Sequence, residues 1–86
     1  MKSVQAESTL LAIIVQDGAG SLAQAEEAGV TLECFSSPAC QDLWTEIKNL
    51  DAKGKEIESM EIMTTYQAKS MDVSAFLDIT ADFSKS

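Results

Sequence analysis

Cys40, Leu43, Trp44, Ile47 and Leu50 recur at i, i+3, i+4, i+7 and i+10, the spacing that lines up one face of an α-helix. Ser37 and Pro38 stand immediately before them. A serine there can cap the free N–H groups of a first turn. Proline suits the first helical position, because its missing N–H has no partner to lose. The sequence therefore predicts a helix that starts at Pro38 and buries one apolar face. Every other segment has to pack around it.

Glycines divide the rest of the chain. Gly18, Gly29 and Gly54 each follow a segment with helical character, where a left-handed C-terminal cap favours glycine. A first helix is expected from about Val4 to Gln16, with Ser3 as its N-cap. Its run Leu10 to Val15 is apolar nearly all round, which predicts a central, buried helix. A second is expected over "SLAQAEEA", capped by Ser21 and packed through Leu22 and small alanines. "VTLECF" reads as an extended connector anchored by Val30, Leu32 and Phe35. A fourth helix should be capped by Ser59 and run to about Ala68, with Ile62, Met63 and Tyr66 inward. A short fifth, Val73 to Ile79, should present Val73, Phe76 and Leu77. The expected fold is all-α, a compact orthogonal bundle of four to five short helices. It forms a single domain over 1–86, with its body over about 5–79 and a tail, 80–86, expected to fray.

Composition excludes several kinds of chemistry. Fourteen acids face six lysines, with no arginine and no histidine, giving a net charge of −8. Such a surface repels phosphate backbones and lacks the residue that most often contacts phosphates and guanine edges, so direct nucleic-acid binding is not expected. Without histidine, no Ser–His or Cys–His nucleophile pair forms. Imidazole zinc ligands are missing too, and two cysteines fall short of a four-thiolate site. No phosphate-binding glycine loop is present: Gly54-Lys55 is followed by Glu56 and lacks the upstream glycine. No catalytic residue, cofactor or metal is expected. No apolar run reaches the ~18 residues of a membrane span, and the reading is cytoplasmic.

The remaining candidates have plain readings. Cys34 and Cys40, spaced Cys-x5-Cys, match no redox or zinc motif and are expected to fill the core. Met60, Met63 and Met71 are expected to fill core gaps, although a pliable binding face is the alternative. Glu56, Glu58 and Glu61 read as a solvated acidic edge, or as a patch for a basic partner. Ser21-Leu22 at an expected helix start, in a chain of isoelectric point near 4.2, is similar to the prosthetic-group serine of acyl carrier proteins. Gly20 stands where those proteins have aspartate, and the segment comes after a single helix.

One ordered set of residues carries a family resemblance. Ala6-Glu7 opens an apolar helix, Leu10-Leu11-Ala12-Ile13-Ile14 continue it, and Asp17 ends it. Phe35 follows, then a Pro-containing helix start, Leu43-Trp44, Ile47, Leu50, Gly54, Ile57-Glu58 and Phe76-Leu77. In order and spacing the chain resembles the N-terminal domain of DnaB-type replicative DNA helicases. It departs at Cys40-Gln41-Asp42, where the family often has histidine or basic residues, at Glu61 in place of a helix-opening threonine, and in a shorter Gln67–Val73 segment. The resemblance implies a non-catalytic head that helps assemble a hexamer and contacts primase; unwinding belongs to a separate motor. The helicase-binding domain of bacterial primase has a related helical fold, which places the other side of that pair within reach. Expected partners are therefore proteins, through self-association or primase, with contacts placed on Gln41, Glu46, Glu58 and Glu61. The alternatives are a small acidic carrier domain and a prophage or regulatory mimic of the helicase head.

Overall fold

The computed structural model describes residues 4–84. Five helices follow in order: α1 (Val4–Asp17), α2 (Ala19–Glu27), α3 (Pro38–Ala52), α4 (Ser59–Ala68) and α5 (Val73–Ser84), with one 3-10 turn over Leu32–Cys34. No strand occurs among the described residues, and the helices form an all-α bundle of 30 × 25 × 25 Å.

The predicted face of α3 is the centre of the core. Cys40, Leu43, Trp44, Ile47 and Leu50 are all buried. Each of the leucine and isoleucine side chains, withdrawn fully from water, contributes roughly 1.5–3 kcal/mol. Pro38 is the first residue of α3 and Ser37 its N-cap, whose carbonyl accepts the Gln41 N–H at 3.0 Å. The Ser37 hydroxyl makes no capping hydrogen bond to the backbone of that turn. Phe35 is buried, its ring 5.3 Å from that of Trp44. α1 packs against α2, α3 and α5. Its inner stripe is Leu11, Ile14 and Val15, whereas Leu10 and Ile13 remain half-buried.

Three helix ends share one device. At the ends of α2, α3 and α4 the residue after the C-cap has positive φ: Gly29 (92°), Gly54 (72°) and Ser70 (57°). In each, the next N–H bonds back five residues: Val30 to the Ala25 carbonyl, Lys55 to Leu50 and Met71 to Tyr66. This is the Schellman closure, which satisfies carbonyls the helix leaves open. Glycine adopts the left-handed conformation without a Cβ clash; Ser70 adopts it against that clash.

Several expectations are corrected. α2 starts at Ala19 with Gly18 as its N-cap, so Ser21 lies inside the helix, where its hydroxyl donates to Asp17 Oδ2 at 3.0 Å. The connector is not extended throughout: Leu32 belongs to the 3-10 turn and is 43% exposed. α4 is capped by Glu58 rather than Ser59. α5 continues to Ser84, past the expected end at Ile79, because no glycine or proline interrupts it. Leu77 faces solvent on α5, while Phe76 and Ile79 are buried. Met60 is 74% exposed; Met63 and Met71 pack against the core as expected. Ser3 and the tail residues 85–86 lie outside the described residues.

Candidate functional site

The four residues expected at a partner interface do not share one surface role. Gln41 is half-buried, and its Nε2 donates to the Phe35 carbonyl at 2.7 Å, holding the chain that enters α3. Glu46 is buried, a correction to its expected exposure. Lys69 Nζ reaches both of its carboxylate oxygens at 3.0 Å. The pairing had no local sequence signal, since Lys69 lies 23 positions away. Glu58 is exposed at the N-cap of α4, as expected of a solvated edge, whereas Glu61 is half-buried in its first turn.

Glu58 belongs to an acidic cleft of about 330 Å³ lined by Gln16, Asp17, Gly18, Glu56, Ile57 and Glu58. The joint between α1 and α2 forms one wall, and the segment before α4 forms the other. Asp17, Glu56 and Glu58 are all exposed there. Exposed carboxylates at a cleft attract cationic side chains over a Debye length of about 8 Å at physiological salt. An open groove of about 520 Å³ lies along the outer side of α1, lined among the described residues by Gln5, Ala6, Thr9, Leu10 and Ile13. A third depression, of about 340 Å³, lies where α1, α3 and α5 meet, with Ser8, Ser37, Cys40 and Asp78 among its lining.

The residue that sequence reasoning missed is Glu7. Its side chain is completely covered, and its carboxylate accepts the Ser36 N–H and the Ser36 hydroxyl, each at 2.9 Å. Burial pushes the carboxyl up; hydrogen bonds from the Ser36 hydroxyl, the Ser36 N–H and the Ser37 N–H outweigh it and hold the group below its usual value. A signal was present: Glu7, Leu11 and Ile14 share one helical stripe, so an acid sits on the inward face.

The thiols differ in the same way. Cys40 is buried as expected, and burial pushes its thiol up despite hydrogen bonds with Ser8 and Ser37. Cys34, expected in the core, is only half-buried. Its sulfur accepts the Thr31 N–H at 3.5 Å, and that bond with the Thr31 hydroxyl lowers the thiol below its usual value. Tyr66 is pushed up to about 12 by burial and by the nearby Asp42 and Glu46 carboxylates, so it stays a neutral phenol. Among the described residues, no three acidic, cysteine or histidine side chains come together to hold a metal ion, and no helix is long and apolar enough to cross a membrane.

Compared with known proteins, the chain matches no family model, and no curated protein or solved structure is significantly similar to it.

Proposed function

We propose that this chain is a non-catalytic protein–protein interaction module of the kind found at the head of replicative DNA helicases, acting in the cytoplasm in hexamer assembly and primase contact. The observation that carries the reading is the ordered residue pattern from Ala6 to Leu77. In the bundle, much of that pattern occupies one core: Leu11, Ile14, Phe35, Leu43, Trp44, Ile47, Leu50, Ile57 and Phe76 are members of the same buried cluster. Glu7 and Gly54 fit the reading by fixing the two ends of α3, Glu7 through Ser36 and Gly54 through the closing turn. The protein surface left for a partner is acidic at Asp17, Glu56 and Glu58, which suits a basic protein face.

Size-exclusion chromatography with light scattering, on the chain alone and mixed with a cognate primase C-terminal domain, tests the proposal. Self-association or a mixed complex is expected. Glu58→Lys is expected to weaken the mixed complex about tenfold if the acidic cleft forms the contact. A strict monomer indifferent to primase would count against the whole reading.

A further inference from the structure

We propose that α4 is an independently opening element of the bundle, and that the Lys69–Glu46 ion pair is its latch. α4 is lightly anchored: like α2 it buries two residues, here Ile62 and Tyr66, with Met63 partly covered, whereas α3 buries six. It packs on α3 and on α5, and the Tyr66 ring rests 5.8 Å from that of Phe76. The chain on either side of it is exposed from Asp51 to Glu56 and at Lys69 and Ser70, and is pinned to the core only at Ile57 and, in part, at Met71. Elements with few buried apolar contacts and solvent-exposed flanks open at lower free energy than the core they rest on.

The last turn of α4 carries the latch. Lys69 is the C-cap, and its side chain, 48% exposed, extends to a carboxylate whose own side chain is only 6% exposed. Glu46 therefore has its cationic partner only while α4 is seated, and unseating α4 leaves a carboxylate on α3 without it. Stranding the covered carboxylate by losing the lysine alone costs more than losing both charges together. Ser70 places Lys69 there by holding a left-handed φ of 57°, the only positive φ at a non-glycine residue among those described. That strain persists only while the seated helix imposes it. The bundle thus holds a strained turn and a charge pair at one hinge, and release of both uncovers the Phe76 ring on α5.

Hydrogen exchange on the full 86-residue chain, resolved by residue, tests this. In Lys69→Gln, the amides of Ile62 to Lys69 should exchange about tenfold faster or more, while those of Leu11 to Val15 and Leu43 to Leu50 keep their rates. In the double variant Glu46→Gln with Lys69→Gln, which removes both charges, α4 exchange should return to within about threefold of the parent. Equal acceleration in all helices would show that α4 does not open alone. No change in α4, or a double variant as fast as the single one, would remove the ion pair from the role of latch.

Discussion

Glu7 and Glu46 are both buried carboxylates, but they are stabilised by opposite means. Among the described residues no lysine pairs with Glu7: the hydroxyl and backbone N–H groups of Ser36 and the adjacent Ser37 N–H meet it, all within the segment that leads into α3. Glu46 has one mobile lysine from the end of another helix. Backbone donors come fixed in direction and cost little further ordering. A lysine has to give up side-chain freedom and part of its hydration. The comparison teaches that the α1–α3 joint is held by pre-positioned dipoles and the α3–α4 joint by a charge that salt can reach.

Removing the Glu7 carboxylate should have the largest effect. Glu7→Ala strands buried donors at the entrance to α3 and is expected to lower the unfolding midpoint by roughly 10 °C or more, read by circular dichroism. Glu7→Gln retains an acceptor and should lose less. The pH dependence has a definite sign. The folded carboxyl lies below its ordinary value of 4.5, so its contribution is present above that pH and is lost as pH falls through the folded value. The stability gap between the parent and Glu7→Gln should be constant above pH of about 5.5 and narrow below 4.5. A gap that widens on acidification would refute the assignment.

An intermediate effect is expected at the lysine. Lys69→Met should cost about 1–2 kcal/mol, less than a fully buried pair because water reaches the ammonium. In roughly 1 M NaCl, where the Debye length is about 3 Å, the parent should lose part of that advantage while the Glu7→Gln gap holds steady. Equal salt sensitivity at both sites would erase the distinction drawn between them. The Lys48–Glu26 pair, with both side chains substantially exposed, adds little by comparison.

The smallest effect separates the two helix ends. Ser70→Gly relieves a left-handed residue and should stabilise by about 0.5 kcal/mol, whereas Gly54→Ala at the equivalent position of α3 should destabilise by about 1 kcal/mol. Denaturant midpoints at constant slope measure both. The same sign for both substitutions would contradict the shared geometry.

Much of this bundle is legible from local pattern. α3 follows from Ser37, Pro38 and a regular apolar face, and the left-handed ends follow from Gly29 and Gly54. What escaped depends on distance along the chain. Glu7 meets Ser36 across 29 positions and Glu46 meets Lys69 across 23, so neither partner is visible in a helical window. Ser21 looked like a cap because serine caps helices, but Gly18 starts α2 three residues earlier and leaves the hydroxyl to Asp17. Leu77 and Met60 are apolar and so read as inward, yet a residue on another face of the same helix takes the buried position: Phe76 in one case, Ile62 in the other. Of the four residues expected at an interface, Glu58 is exposed and Glu61 half-buried at the start of α4. Gln41 and Glu46 instead serve the packing of α3.

The placement of the aromatic rings has an optical consequence. The single tryptophan, Trp44, is 4% exposed in the core of α3, close to Phe35 and with Lys48 Nζ 5.8 Å from its ring centre. The single tyrosine, Tyr66, lies in α4 against Phe76. Each chromophore therefore reports on a different joint. Indole emission follows the Glu7-supported half, and near-ultraviolet tyrosine absorption follows the lysine-latched helix. An unlabelled sample carries two spectroscopic channels, and the order in which they change on warming ranks the two joints directly.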